Sequence, residues 1–347
     1  MPSSRRALLT AGLSATALQV VGCGPRANPP LPASVRGLDL QRLERGFAPL
    51  AAHAAPGVFG LGVMTLDTLA AWCASQNRRF PLQGLAMAPI AAAALAAVDA
   101  GRLRLNNRLR VRDVDLSPPP SRINRAFPPG ADHIDLPAVD LIALAVQDGD
   151  NTASDRIMAE IGGPGAVTAW LRDHGVKDMR VDRYQREAQT ALFGLESFRA
   201  AWKTDAAWPA ARSAVPPALR EAARAQFLAD PRDTTTAQAM LNFLNQLSGG
   251  TLLSPASTRL LLGLMRATAE PGPLRAGLSR RATLAQQSGA SPTDLGLTAA
   301  AGAMGIVALP GGRHLAITAF LAGSVATLAQ RNALFAQAAR LAVSALS

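Results

Sequence analysis

One stretch restricts the fold of this chain more than any other. From Leu85 to Val98 nearly every residue is apolar, with Leu85, Ala86, Met87, Ile90, Ala94, Leu95 and Val98 recurring at helical spacing. A helix that is apolar all round is buried all round, so this segment predicts the centre of a domain. Asp99-Ala100-Gly101 follows, and Gly101 stands where a helix-ending glycine belongs. On the other side, Pro81 and Gly84 break an extended segment. The first turn of the central helix is therefore expected to begin at Gly84.

The rest of the composition narrows the function classes. A length of 347 residues allows one large domain or two intimate ones. The net charge of +11 is carried by arginine, since Lys177 and Lys203 are the only lysines. These arginines are scattered among Asp and Glu rather than clustered with aromatics, so no nucleic-acid partner is expected. His53, His133, His174 and His314 are isolated, and the only cysteines are Cys23 and Cys73. That excludes the usual zinc spacings, and neither a metal nor a cofactor is expected. Cys73 reads as an unpaired, buried strand residue.

Residues 1–23 read as a targeting segment to be set aside from the fold. Ser4-Arg5-Arg6-Ala7-Leu8-Leu9-Thr10 resembles a twin-arginine export signal, and an apolar run continues to Val21. Val20-Val21-Gly22-Cys23 resembles a lipobox, with Cys23 as the lipidated residue. The reading is a periplasmic monomer attached to a membrane through its lipid alone, because no later run is long enough to span. An ordinary secretory signal with an incidental Cys23 is the alternative. Residues 24–37, rich in Pro, Ala and Gly, read as a tether.

Along the remaining chain, Leu40, Leu43, Phe47 and Leu50 mark a first amphipathic helix. Residues 57–68 and 70–76 read as a strand pair turning near Asp67. After the central helix, 113–131 reads as loop. Helices are expected over 136–147 with Pro137 in the first turn, 151–161 and 165–174. Residues 176–190 show no period and read as loop. Helices follow over 234–247, with Asp233 or Thr234 as N-cap, and over 257–267. Strands are expected at 281–286, 299–309 and 314–321, with a tight turn at Pro310-Gly311-Gly312 and a closing helix over 325–346. This order predicts an α+β fold. Its antiparallel sheet comes from N- and C-terminal segments, about 38–84 and 274–347, flanked by helices. An all-helical part of about 85–273 is inserted between them.

Several short motifs stand along this frame. Phe80-Pro81 precedes Gly84 and Met87; Asp148-Gly149-Asp150-Asn151-Thr152-Ala153 is followed by Ile161-Gly162-Gly163-Pro164. Val181-Asp182-Arg183-Tyr184-Gln185, Arg232-Asp233-Thr234-Thr235, Gln287-Ser288-Gly289-Ala290 and Gln330-Arg331-Asn332 come after them in that order. Together they resemble the class A β-lactamases and related penicillin-recognising serine hydrolases over roughly Leu40 to the C-terminus. In that family Phe-Pro leads into Ser-x-x-Lys, a Ser-Asp-Asn segment follows, and an omega loop carries a glutamate. A late strand then carries Lys-Ser/Thr-Gly.

The resemblance implies a serine acyl-enzyme mechanism, but the residues that would perform it are replaced. Gly84 stands at the nucleophile position and has no side chain. Met87 stands at the lysine position and exchanges no proton. Gly149 replaces the proton-shuttling serine, Gln185 the omega-loop glutamate, and Gln287 the strand lysine that receives a substrate carboxylate. No Ser-x-x-Lys and no Lys-Thr/Ser-Gly occurs anywhere in the chain. Cations and an anion vanish together, so no buried charge is orphaned.

What remains implies a cleft formed by Gly84, Asp150, Asn151, Gln185, Gln189, Gln287, Ser288, Gly289 and Ala290. Two backbone N–H groups, of Gly84 and Ala290 by position, would receive a carbonyl or carboxylate oxygen. Asp182 and Arg183 are expected to pair and pin the omega loop. Residues 193–228, with Trp202, Trp208 and three prolines, form an insertion. It is expected to be a flap over the cleft, a surface for a protein partner, or an extra helical layer packed by its tryptophans. The leading functional reading is an exported pseudoenzyme that binds a β-lactam, a cell-wall peptide or a protein without turnover. The alternatives are a working hydrolase using Ser75 or Ser288, and a purely structural module.

Overall fold

The computed structural model describes residues 37–347. The segment read as an export signal, Cys23 and all of the expected tether but Gly37 lie outside the described residues. The chain begins with helix α1 (Leu40–Ala54) and strands β1 (Val58–Thr65), β2 (Ala71–Ala74) and the short β3 (Phe80–Pro81). A 3₁₀ turn at Gln83–Ala86 leads into α2 (Met87–Asp99). Then come β4 (Arg108–Arg112), α3 (Arg122–Ala126), β5 (His133–Pro137), α4 (Ala138–Asp148), α5 (Asn151–Glu160), α6 (Pro164–Asp173) and α7 (Gln185–Leu192). Next are α8 (Ala207–Ser213), α9 (Pro217–Ala229), β6 (Thr234–Thr235), α10 (Ala237–Ser248) and α11 (Pro255–Arg266). Strands β7 (Thr283–Ala290), β8 (Thr293–Asp294), β9 (Leu297–Ala308) and β10 (His314–Ser324) precede α12 (Leu328–Ser344).

The main sheet is antiparallel with the order β2-β1-β10-β9-β7, and β8 pairs with β9. N- and C-terminal strands therefore lie side by side, as the α+β reading requires. Strand residues alternate between two apolar cores. Leu61, Val63, Leu315, Ile317 and Val307 face α1 and α12. Ala285, Met304, Ala316 and Phe320 face the helical half. There α2 is buried from Met87 to Ala97 with only Ala96 partly open, as its all-round apolar sequence demands. Gly101 ends that helical stretch at φ +71°, where its N–H donates to the Val98 carbonyl at 2.9 Å.

Several boundaries differ from the sequence expectation, each for a tertiary reason. Residues 176–190 are not all loop: α7 forms because Glu187 accepts the Tyr184 N–H at 2.9 Å while its own N–H donates to the Tyr184 carbonyl, and two of its three buried positions, Gln185 and Thr190, are polar. Burial of polar residues leaves no apolar period to read. The helix expected from Thr234 starts at Ala237, capped by Thr236, whose hydroxyl accepts the Ala239 N–H at 3.2 Å. Thr234 and Thr235 instead pair with Pro81 and Phe80 as a strand. Pro137 closes β5 and caps α4 rather than lying in its first turn. The loop at 113–131 contains α3, and β4 and β5 form a separate two-stranded sheet inside the otherwise helical part.

Candidate functional site

The central helix, the edge strand β7 and α7, which begins at the end of the 181–185 motif that marks the omega loop, meet at a cleft of about 380 Å³. The 3₁₀ turn carries Gly84 to the cleft with Met87 one turn later. Gln83 just before it holds φ +46°, a costly conformation for a residue with a side chain. On the opposite wall the β7 backbone comes very close: a Cβ on Gly84 would stand 3.0 Å from the Ser288 carbonyl oxygen. A Cβ on Gly289 would stand 2.7 Å from the Gly84 nitrogen. Turn and strand are thus fitted to each other as two glycines.

The other walls come from helix ends. Gly149 is the left-handed C-cap of α4, at φ +63° and ψ +31°, and its N–H donates to the Leu144 carbonyl. A residue with a side chain would be strained in that role. Asn151 opens α5 and donates its amide to the Pro118 carbonyl at 2.8 Å. Gln185 and Gln189 project from α7, one turn apart. Gln287 lies opposite Met304 on β9, on the sheet face that meets the helical half. It is only 4% exposed, and its Oε1 has no hydrogen-bond partner.

The structure therefore brings together Gly84, Met87, Gly149, Asn151, Gln185, Gln189, Gln287, Ser288, Gly289 and Ala290 around one space. Asp150 does not belong there. It is fully buried as the N-cap of α5, accepting the N–H groups of Ala153 at 2.9 Å and Ile123 at 3.1 Å. Its neighbour Asn151 faces the cleft, and this helix-start role turns Asp150 inward. Sequence reasoning also missed Ser121, Arg122, Arg125, Thr268 and Glu270, which line the cleft together with Gln83, Gln147, Asp148 and Gln286 among others. Arg122 and Arg125, three apart in a Pro- and Ser-rich stretch, carried a weak signal of a short helix. Thr268 and Glu270, beyond α11, carried none.

The lining contains no lysine, histidine or cysteine. Its charged side chains are Arg122, Arg125, Asp148 and Glu270; Arg122 pairs with Asp148 at 3.1 Å, and Arg125 with Asp205 at 3.2 Å. Ser288 faces the cleft, whereas Ser75 does not line it: its hydroxyl donates to the Phe59 carbonyl at 3.3 Å. Lys203 is engaged by Asp113 at 2.9 Å. Cys73 is only partly buried on β2, and its Sγ–H donates to Gln238 Oε1 at 3.7 Å. Burial pushes this thiol up to about 12, so it stays protonated at neutral pH.

The omega loop is pinned differently from expectation. Asp182 pairs with Arg180 at 2.9 Å, and Arg183 pairs with Asp233, Nε to Oδ2 at 2.5 Å. Asp233 also accepts the backbone N–H groups of Asp182 at 2.7 Å and Arg183 at 3.0 Å. It takes φ +52° to do so, and its own carbonyl accepts the Leu82 N–H beside the cleft. A second anchor is Asp155, which accepts from Ser117 Oγ at 2.6 Å, Gln185 N–H at 2.6 Å and Arg186 N–H at 3.1 Å. Burial raises the Asp155 carboxyl from 3.8 to about 6 despite these donors.

None of residues 193–228 lines the cleft, so the insertion is not a flap over it. Phe193, Trp208 and Phe227 form a small core with Leu192 and Ala299, and Phe198 and Trp202 pack at its edge. The insertion is the helical layer packed by its tryptophans. It is tied to the helical half through Lys203 and Asp113, and to β8 through Arg220 and Asp294.

Comparison with known proteins places this geometry. The family model described as the beta-lactamase enzyme family matches residues 42–346. A β-lactamase from Chitinophaga pinensis superposes with a TM-score of 0.70 at 28% identity, covering 87% of this chain and 97% of that one. A reconstructed class A β-lactamase of the last common ancestor of Gram-negative bacteria gives 0.69 at 27% identity, covering 88% and 100%. A β-lactamase from Xanthomonas campestris gives 0.69 at 24% identity, covering 87% and 97%, which speaks for the fold. By sequence and by architecture this chain belongs to the beta-lactamase enzyme family.

Proposed function

We propose that this member of the family is a pseudoenzyme: it holds a β-lactam or a cell-wall peptide in the cleft without cleaving it. One observation carries the reading. The five residues that match the family's reacting side chains by motif, Gly84, Met87, Gly149, Gln185 and Gln287, line a single cleft. None of these side chains can act as a nucleophile, a general base or a cation at neutral pH. Ser288 is the one hydroxyl among the expected cleft residues, and no lysine or histidine lines the space to take its proton. The export signal and Cys23 add a location to this reading, a lipid-anchored protein of the periplasm.

The test is intact-protein mass spectrometry of the full chain after incubation with a penicillin, alongside turnover of a chromogenic cephalosporin. The expected outcome is no covalent adduct and no turnover, with a rise in melting temperature because a ligand that binds only the folded state stabilises it. A mass increase of one acyl group would overturn the proposal, and mapping the adduct would identify the nucleophile.

A further inference from the structure

The insertion does not line the cleft, yet it grips the element that carries the cleft's cations. That element is α3. Its Asn124 amide donates to the Lys203 carbonyl at 3.0 Å. The Lys203 ammonium stands 4.8 Å from the ring centre of Phe127, the C-cap of α3. Two residues further on, Asp205 meets Arg125 at 3.2 Å. Three contacts thus tie residues 203–205 of the insertion to residues 124–127.

Arg122 and Arg125 are the only cations lining the cleft among the described residues. Three apart on a helix, they are neighbours on its surface. Neither is saturated. A guanidinium carries five N–H donors on three nitrogens, and Arg122 commits Nη2 to Asp148 while Arg125 commits Nη1 to Asp205. The other two nitrogens of each have no partner among the described residues, and the side chains are 60% and 56% exposed. The two pairs differ in firmness. Asp148 is 14% exposed and fixes Arg122, whereas Asp205 is 61% exposed. An ion pair as open as Arg125–Asp205 is worth little in water, so an incoming anion can share or displace it.

Elsewhere the lining offers an anion less. Strand β7 carries no charged residue. Glu270, also in the lining, has no ion-pair partner among the described residues and repels an anion placed beside it. A carboxylate is made of acceptors and matches the forked donors of a guanidinium.

We infer that the cleft takes the anionic end of its ligand on α3, at Arg122 and Arg125, and that the insertion tunes this subsite through Asp205. The inference rests on the reading of the cleft as a non-hydrolytic binding site and says where in it the ligand's carboxylate lies.

The experiment uses the full chain and two N-acetylated dialanine peptides, prepared in both D and L forms, that differ only in ending as a carboxylate or a carboxamide. Calorimetry at neutral pH and low salt should show the carboxylate binding about tenfold more tightly, the ratio expected for one charge-assisted contact. Arg122→Gln and Arg125→Gln together should abolish that preference, with a melting temperature close to the parent's because both side chains are mostly exposed. Arg340→Gln removes the same charge from α12, on the other face of the sheet, and should leave the preference in place. Asp205→Asn releases Arg125 and should strengthen carboxylate binding about threefold. If the folded double variant keeps the preference, or the parent binds both peptides equally, the inference falls while cleft binding stands. If Asp205→Asn changes nothing, the insertion's part in it falls. If neither peptide binds, the binding reading falls and this inference with it.

Discussion

The cleft wall and the omega-loop anchor lie on either side of one residue, Gln185, and treat polar groups in opposite ways. Beneath the cleft, the Gln185 backbone N–H is held by the buried Asp155 carboxylate, and nearby Asp233 binds two backbone N–H groups and Arg183. On the cleft side, Met87, Gln185 and Gln287 line the wall, and the last has an unpaired oxygen. The charges that hold the loop in place are engaged, Asp233 by Arg183 Nε and two N–H groups and Asp155 by Ser117 and two N–H groups, with Arg183 Nη2 left unpaired. The cleft wall instead offers mostly uncharged side chains, with Arg122 and Arg125 paired to acidic residues.

The comparison breaks most visibly if Asp233 proves dispensable. Arg183 is only 8% exposed, and without Asp233 its remaining partner is Asp230, at 3.4 Å. Asp233→Ala should cost about 3 kcal/mol in denaturant unfolding, toward the lower end for breaking a buried pair, because Asp230 compensates in part. Asp233→Asn should cost less, since asparagine tolerates the left-handed backbone at this position.

Asp155 sharpens the comparison through pH. Its folded-state value of about 6 lies above the ordinary 3.8, so between these values the folded chain holds a proton that the unfolded chain has released. The contribution of Asp155 to stability therefore rises as pH falls from about 6 toward 3.8 and is lost as pH rises through about 6. Asp155→Asn removes this titration and also presents an NH₂ group to the N–H donors of the loop. It should destabilise by about 1–3 kcal/mol at neutral pH. Thermal melts of both proteins across the window should show the gap widening in favour of the parent as pH falls.

How much of this could be read from sequence follows the same division. The central helix and sheet order were legible, because an all-apolar helix and alternating strands declare their burial directly. The cleft was legible wherever a motif marked it, from Gly84 through Gln185 to Gln287. The anchor was not. Asp182 and Arg183 are neighbours in sequence, yet Arg183 reaches Asp233, fifty residues away, because the left-handed turn at Asp233 aims its carboxylate into the loop. Asp150 was misplaced for a related reason: a helix-start aspartate and a cleft aspartate look alike until the neighbouring N–H groups are seen. Arg122 and Glu270 entered the lining through long-range packing that no local period encodes.

The smallest expected effect tests the cleft side. Gln287→Leu replaces a side chain of similar length whose oxygen is buried and unpaired. Removing an unsatisfied buried polar atom in favour of an apolar one is close to neutral or stabilising. Unfolding should therefore change by no more than about 0.5 kcal/mol, or shift upward. The contrast with Asp233→Ala is the decisive part. A loss at Gln287 as large as the one at Asp233 would mean that this amide holds the folded chain together through β7. The cleft would then be another structural anchor, and the division between a partnered scaffold and an open recognition surface would fail. A neutral Gln287→Leu, beside a costly Asp233→Ala, leaves the unpaired amide without a structural task and keeps the loop anchor as the part that holds the fold.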